Sequence, residues 1–192
     1  MTFLDALLGR TRRKPANLDA LFALPGAAVT LQAEAGMRPS GRAAVAYKPA
    51  SGQAFEDARK ELEQLLSMSA RESETRLREH DDRYGYRWIV LQDPNLEDLV
   101  GSVHLVNSTL EGRDFGPQLL CSVFGFELEQ DGHGQMFLVY LYKRGTFYPF
   151  APLRGERRDN ELELRIRGLL EGDLPLEPDL SRWFPLWGIP IG

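Results

Sequence analysis

The stretch QLLCSVFGFELEQDGHGQMFLVYLY, residues 118–142, decides the fold because it holds two apolar runs on either side of a turn. The first run covers Gln118–Glu127 and the second covers Met136–Tyr142. Between them, Asp131-Gly132-His133-Gly134 is a strong turn signal. Runs that are apolar on both alternating faces are typical of strands buried on both sides of a sheet. The sequence therefore predicts a central antiparallel hairpin.

The rest of the chain alternates between helix and strand patterns. Apolar residues at helical spacing predict helices, and alternating aromatic or β-branched residues predict strands. The predicted helices are Leu18–Leu24, Ala54–Met68, Leu96–Leu110 and Arg157–Leu170, and the further predicted strands are Ala28–Ala33, Ala43–Lys48 and Tyr84–Gln92. We expect Pro25-Gly26 to end the first helix and residues 36–41 to form the turn of a hairpin between the first two strands.

These elements predict an α+β fold in a single domain. About five strands in one antiparallel sheet, with helices packed mainly on one face, is the simplest arrangement. The polar stretch Ser69–Arg83 carries charges of both signs and is predicted to be a solvated helical extension or a loop. The element order resembles that of type III secretion chaperones and YbjN-like proteins, which implies a topology and not a function.

The chain divides into three segments. Residues 1–16 are predicted to form a short helix followed by a basic step, and residues 17–172 the α+β domain. Residues 173–192 are rich in proline and tryptophan, so they form neither a regular helix nor a central strand. Their aromatic side chains are costly to leave in water, and we expect this tail to pack over the domain.

Composition narrows the class of protein. The 192 residues include 23 basic and 28 acidic ones, a formal net charge of −5, which disfavours general nucleic-acid binding. Cys121 is the single cysteine, as expected in a reducing compartment. At the N-terminus the basic residues follow the apolar stretch, whereas in a signal peptide they precede it. No apolar run approaches the ~20 residues of a membrane helix. The sequence therefore predicts a cytoplasmic protein.

No catalytic, metal or cofactor site is predicted. His80, His104 and His133 are far apart, and none has a second histidine or a cysteine at metal-ligand spacing. Cys121 lies in a predicted buried strand, where a thiol is normally inert. Glu127 and Glu129 share a strand face but are typical solubilising residues at the end of a hairpin. The alternative is an enzyme whose site is assembled from distant residues.

Residues 143–160 form the segment most suggestive of binding. Five basic and two acidic residues give it a net charge of +3 (five minus two), and three aromatic residues lie among them. Such a segment suits an acidic partner, an anion or lipid phosphates. The predicted partner-binding residues are Lys143, Arg144, Phe147, Tyr148, Phe150, Arg154, Arg157 and Arg158.

The predicted placement of two of these arginines strengthens the hypothesis of a binding segment, and one structural alternative is also open. Arg157 and Arg158 are predicted in the first turn of the last helix, where the helix dipole disfavours positive charge. In the alternative, the segment is a structural loop. Its aromatic side chains would then cover the core, and its arginines would pair with Glu156, Asp159 or Glu161.

Four blocks of the sequence resemble one bacterial family. They are Asn17–Pro25, Phe115–Cys121, Leu138–Asn160 and Glu177–Pro185. On these blocks the chain resembles the PspA-associated protein PspAB, found in phage-shock gene neighbourhoods. The resemblance covers nearly the whole chain and implies an adaptor in the response to envelope stress, associated with PspA, a coiled-coil protein of the membrane surface. It implies no particular binding residues.

The sequence leads to three hypotheses about function. The first is a non-catalytic adaptor or chaperone-like protein that binds PspA, and the second is the enzyme with a site built from distant residues. The third is direct contact with an anionic membrane surface through Phe3–Lys14 and the tail aromatics. The chaperone analogy also suggests a homodimer.

Overall fold

A computed structural model describes residues 16–72, 74–128 and 134–191, with side chains of 70–72 excepted. Within that part, four α-helices and eight strands follow one another. The helices are α1 (Leu24–Ala35), α2 (Gln53–Glu72), α3 (Leu96–Gly112) and α4 (Asn160–Leu169). The strands are β1 (Met37–Tyr47), β2 (Arg76–Asp81), β3 (Arg87–Gln92), β4 (Leu119–Leu128), β5 (Gln135–Leu141), β6 (Thr146–Phe150), β7 (Pro152–Leu153) and β8 (Arg157–Arg158). Three short 3₁₀ turns cover Leu18–Ala23, Gly116–Gln118 and Leu180–Arg182.

Six of the strands form one antiparallel sheet in the order β2-β3-β1-β4-β5-β6. The predicted central hairpin is confirmed, with Val123 of β4 opposite Val139 of β5. Its connecting turn lies outside the described residues. The α+β class and single antiparallel sheet are confirmed, with six strands instead of about five. The chaperone-like or YbjN-like topology stays a prediction.

The sheet separates two apolar layers. On its first face, alternate strand residues such as Val45 and Phe124 pack against all four helices, as predicted. On its second face, the other strand residues, including Ala46 and Val123, pack against Trp183 and Ile191 of the C-terminal tail. The tail thus takes the place that a second helical layer would occupy.

The predicted strand Ala28–Ala33 is wrong, because these residues belong to α1. Pro25 lies in the first turn of this helix, where its missing N–H is not needed and its fixed φ suits the helix. Leu24 before the proline and Ala27, Ala28 and Leu31 after it lie at helical spacing and are buried. Pro25-Gly26 therefore begins a helix instead of ending one.

The predicted hairpin between residues 28 and 48 is consequently absent from this region. β1 is a single long strand that begins at Met37 and contains an irregularity between Pro39 and Ala43. Gly41 lies in this bulge with φ of 71°, where a Cβ atom would approach the Asp93 carbonyl oxygen to 3.0 Å. The residues predicted as a turn therefore bend one strand instead of joining two.

The charged stretch 69–83 contains a helix end and an edge strand, so the prediction of a helical extension or loop is only partly right. α2 extends to Glu72, beyond the predicted end at Met68. Residues 76–81 then pair with β3 as β2, although all six are exposed. Backbone pairing with β3 stabilises this strand. Its side chains are all exposed, so the sequence shows no buried face that would predict a strand.

The last helix begins later than predicted. Asp159 caps α4 by accepting a hydrogen bond from the Leu162 N–H at 3.0 Å. Arg157 and Arg158 form β8, which pairs with β7 in a small hairpin of its own. The expectation that these two arginines lie in the first helical turn is wrong, and the argument from the helix dipole does not apply to them.

The strand Tyr84–Gln92 and the helix Leu96–Leu110 are confirmed as β3 and α3 with small shifts in their ends. Asn95 caps α3 by accepting from the Glu97 N–H at 2.9 Å. Among the described residues, none of the helices is long and apolar enough to cross a membrane.

Candidate partner-binding surface

The three aromatic residues of the predicted binding segment lie in the protein core. Phe147 packs in the first-face core, with its ring 5.0 Å from that of Tyr140. Tyr148 stacks on Trp183 at 5.9 Å and Phe150 meets Trp187 edge-on at 5.2 Å, both on the second face. Each of the three is at most 1% exposed. As packed here, these side chains contact the sheet and the tail and not an external partner.

Arg144 is half-exposed but is held by the tail. It donates to the carboxylate of Glu177, which also accepts a hydrogen bond from Thr146 Oγ1 at 2.8 Å. The other Glu177 oxygen accepts from the Asp179 N–H at 3.2 Å. Burial alone would raise the pKa of the Glu177 carboxyl, but the hydrogen bonds from Arg144, Thr146 and the Asp179 N–H, together with the charge of Arg144, outweigh it and the pKa is lowered. This ion pair fixes the tail beside β6.

Arg158 forms a second, more deeply buried connection. Its guanidinium contacts both oxygens of Glu163 on α4, at 3.0 and 2.8 Å. It also donates to the Trp183 carbonyl and lies over the Phe150 ring, 5.4 Å from its centroid. Glu163 in turn accepts from the Ala151 N–H at 2.8 Å. Arg158 therefore joins the small hairpin, α4 and the tail.

Arg154 and Arg157 remain exposed on the β7–β8 hairpin. Neither forms an ion pair with a carboxylate of the described residues, and Arg157 Nε donates only to the Arg154 carbonyl, at 3.3 Å. Leu153, opposite Arg157 in the hairpin, is 44% exposed. Two cations and an apolar side chain thus share a small protruding element.

The turn between β2 and β3 lies beside this hairpin. Arg83 reaches Glu156 at the hairpin tip, with 3.8 Å between nitrogen and oxygen. The Arg83 guanidinium also stacks over Tyr84, 4.9 Å from its ring centroid, and Tyr84 is 61% exposed. We call the patch made of Arg83, Tyr84, Leu153, Arg154 and Arg157 the hairpin surface. Its two halves are 70 residues apart in sequence, so no spacing rule brings them together.

Lys143 is exposed, and no hydrogen bond or ion pair joins it to this surface among the described residues. It lies in the turn between β5 and β6, while the hairpin follows the other end of β6. Five strand residues separate the two ends, about 13 Å at 3.3 Å per residue. Of the eight predicted binding residues, the structure brings only Arg154 and Arg157 together at a free surface.

The described residues that were candidates for chemistry are distributed over β2, α3 and β4. His80 is on the exposed strand β2, and His104 is on α3 with its ring 5.0 Å from that of Phe22. Cys121 is buried on the second face, and burial raises the pKa of its thiol to about 12. Glu127 pairs with Arg38 at 2.9 Å. No group of three potential metal ligands occurs among the described residues, and His133 and Glu129 lie outside them.

The tail aromatics, predicted to contact either the domain or a membrane, divide between core and surface. Trp183 is buried and its indole N–H donates to the Glu177 carbonyl at 3.1 Å. Tyr148 donates to the Phe184 carbonyl at 2.8 Å, while the Phe184 ring is 58% exposed. Residues 3–14, the other half of the predicted membrane contact, lie outside the described residues.

Comparison with known proteins gives a family. No curated protein and no solved structure matches the chain. The family model described as PspAB, PspA associated protein B, matches residues 1–191 and so spans nearly the whole chain. The chain therefore belongs to the PspA associated protein B family.

Proposed function

We propose that this protein is a non-catalytic adaptor that binds PspA in the response to envelope stress, and that the hairpin surface contacts an acidic region of PspA. The family name states an association with PspA. The hairpin surface is supported as the contact by Arg154 and Arg157, which are exposed and have no carboxylate partner among the described residues. That observation carries the proposal.

The composition of the hairpin surface suits a protein partner. Tyrosine and arginine are enriched at protein interfaces, and Tyr84 stacks with Arg83 beside the two free arginines. Leu153 adds apolar area that a partner would cover. Exposed charges at the rim of an interface mainly speed association and select partners of opposite charge. An acidic partner surface is therefore the best match.

Two observations favour binding over catalysis. The Cys121 thiol is buried, and its raised pKa disfavours the reactive thiolate. His80 lies opposite Trp88, whose side chain is on the second face of the sheet, whereas His104 is on α3, which packs on the first face, so the two do not form a shared acid–base pair. A reaction assembled from the described residues would need another nucleophile or base.

The proposal is tested by measuring the affinity of purified PspA for wild type and for Arg154→Glu/Arg157→Glu. We expect at least about tenfold weaker binding at low salt, mainly through slower association. The matched control is Lys48→Glu/Lys60→Glu, which reverses two exposed charges elsewhere and should bind as wild type does. Equal affinity of the hairpin variant and the control would reject the hairpin surface as the contact.

Salt dependence gives a second readout for the same pair of variants. Screening over a Debye length of about 8 Å at physiological ionic strength should weaken a contact made by exposed arginines. We expect wild-type association to slow as salt rises and the hairpin variant to be almost insensitive to salt. A salt dependence that survives the double reversal would place the electrostatic contact elsewhere.

Homodimer formation and peripheral membrane contact stay predictions of the sequence. Light scattering of the purified protein across a range of concentrations tests the first, and a constant monomer mass would reject it. Co-sedimentation with anionic vesicles at low salt tests the second, and protein that stays in the supernatant would reject it.

A further inference from the structure

A second basic feature lies on the second face of the sheet, at the β2 end. Arg42 of β1, Gln92 of β3 and Arg76 of β2 are at one register across three neighbouring strands. Residues directly opposite each other in a sheet project to the same face, so these three side chains form a row. Neighbouring strands are about 4.8 Å apart, which places the Arg42 and Arg76 backbones about 10 Å apart.

Arg78 extends this row, because it lies two residues after Arg76 on the same face and opposite Val90. A groove of about 400 Å³ opens between the arginines and the end of the tail. Val90 contributes apolar wall, and Pro190 and Ile191 of the tail form another side. We call this feature the arginine groove.

The positive charge of the arginine groove is not neutralised by any carboxylate of the described residues. Arg42 donates to the Ile191 carbonyl at 3.4 Å, and Arg78 donates to the Pro190 carbonyl. The exposed Arg76 side chain forms neither an ion pair nor a hydrogen bond with the described residues. Other arginines of the sheet differ, since Arg38 pairs with Glu127 and Arg87 with Asp81.

The carboxylate that follows Gln92 in the chain is engaged elsewhere. Asp93 follows Gln92 directly but is buried, and its oxygens accept from Thr75 Oγ1 at 2.6 Å and from the Asn95 N–H at 2.8 Å. It therefore does not serve as a counter-ion in the groove. Although the chain has a net charge of −5, three neighbouring arginines without a counter-ion create a local positive potential that attracts anions.

The donors in the groove match a phosphate group. Each guanidinium carries five N–H donors, and the tail carbonyls use one each from Arg42 and Arg78. The remaining donors suit the planar, paired recognition that arginine gives to phosphate oxygens. The apolar wall and the tail keep part of the site away from water, which strengthens charge-assisted hydrogen bonds.

We propose that the arginine groove binds a phosphate group, carried either by a soluble phosphate compound or by a lipid headgroup. Arg76 is the central ligand because it has no other partner among the described residues, while Arg42 and Arg78 bind the group and hold the tail end at once. The groove involves none of the residues of the hairpin surface, so this proposal stands or falls separately from PspA binding.

The test is calorimetric titration of the full-length protein with inorganic pyrophosphate at constant ionic strength. We expect saturable binding of one pyrophosphate by wild type and at least about tenfold weaker binding by Arg76→Gln, the usual loss for a charge-assisted pair. Arg76→Gln should keep the wild-type melting temperature, because the exposed Arg76 side chain forms no ion pair or hydrogen bond with the described residues and the backbone pairing with β3 is unchanged. The matched control is Arg165→Gln, an exposed arginine of α4 outside the groove, which should bind as wild type does.

The source of the phosphate is separated by a second arm with phosphatidylcholine vesicles, with and without phosphatidylglycerol. Pyrophosphate binding without vesicle binding supports a soluble compound, and vesicle binding that needs phosphatidylglycerol and Arg76 supports a headgroup. The proposal is overturned if wild type binds neither probe, or if Arg76→Gln and Arg165→Gln bind both probes equally.

Discussion

The two outer strands of the sheet have opposite environments. β6 is closed by the tail: the Phe147 N–H donates to the Pro175 carbonyl at 2.8 Å, and the Glu177 N–H donates back to the Phe147 carbonyl at 2.7 Å. β2 at the other edge pairs with β3 on one side, has no neighbour on its outer side among the described strands, and exposes all six side chains. Charged residues on an open edge discourage pairing with other chains. One edge is thus protected by the chain itself and the other by charge.

The basic residues near the closed β6 edge divide into two kinds. Arg144 and Arg158 find buried carboxylates, Glu177 and Glu163, and so hold the tail in place. Arg154 and Arg157 project from the β7–β8 hairpin and find none among the described residues. A basic run in a sequence therefore does not identify a binding surface until the carboxylates that reach it are known.

The largest effect is expected from Arg158→Ala at the closed edge. It leaves the buried Glu163 carboxylate with only the Ala151 N–H and removes the contacts to Trp183 and Phe150. Loss of one partner of a buried ion pair typically lowers the free energy of unfolding by about 3–5 kcal/mol. Urea unfolding followed by tryptophan fluorescence measures the change.

The control for this variant is Arg165→Ala, an exposed arginine of α4. We expect its free energy of unfolding to stay within about 0.5 kcal/mol of wild type. If the two variants were equally stable, Arg158 would not be part of the structural connection that we describe.

A smaller loss is expected from Glu177→Gln. The amide keeps the shape of the side chain but removes the charge that pairs with Arg144, which is half-exposed and can be hydrated. We expect the free energy of unfolding to fall by about 1–2 kcal/mol. Glu34→Gln on α1, an exposed site, is the matched control and should have almost no effect. A Glu177 variant no less stable than this control would contradict the role of the ion pair.

The pH dependence of the stability lost in Glu177→Gln tests the same ion pair between Arg144 and Glu177. The folded-state pKa of Glu177 lies below its ordinary value of 4.5. A carboxyl with a lowered folded-state pKa stabilises the fold fully above its unfolded-state pKa, and this contribution is lost as pH falls through the folded-state pKa. The difference in unfolding free energy between wild type and Glu177→Gln should therefore shrink below pH 4.5. A difference that grew in acid would have the wrong sign.

The smallest effect on stability is expected from Arg154→Glu/Arg157→Glu. These side chains are exposed and make one hydrogen bond to backbone between them, so each change should alter the free energy of unfolding by less than about 0.5 kcal/mol. Thermal unfolding is the measurement. A loss as large as that of Arg158→Ala would show that the hairpin arginines are structural as well.

The sequence predicts those elements whose side chains carry a burial pattern. β4 and β5 are apolar on both faces, and α3 has apolar residues at helical spacing together with the Asn95 cap. β2 is missed because it is charged on both faces and owes its strand conformation to backbone pairing with β3. α1 is missed because proline and glycine together indicate a break, whereas proline in a first turn suits a helix.

The candidate site is likewise only partly predictable from the sequence. The positive charge of residues 143–158 is visible in the sequence, and so is the alternative that its aromatics cover the core. The partners of Arg144 and Arg158 are not visible together, because Glu177 is 33 residues from Arg144 and the Trp183 carbonyl 25 residues from Arg158. The row of Arg42, Gln92 and Arg76 needs the register of three strands, which no local pattern supplies.

The most direct test of PspA binding through the hairpin surface is hydrogen–deuterium exchange of the full-length protein with and without saturating PspA. Exchange reports every backbone amide without choosing a site beforehand. The account predicts slower exchange on PspA binding at residues 152–158 and at Arg83 and Tyr84, with no change at β2 residues 76–81. Slower exchange confined to β2, or none at the hairpin when PspA is bound, would contradict it.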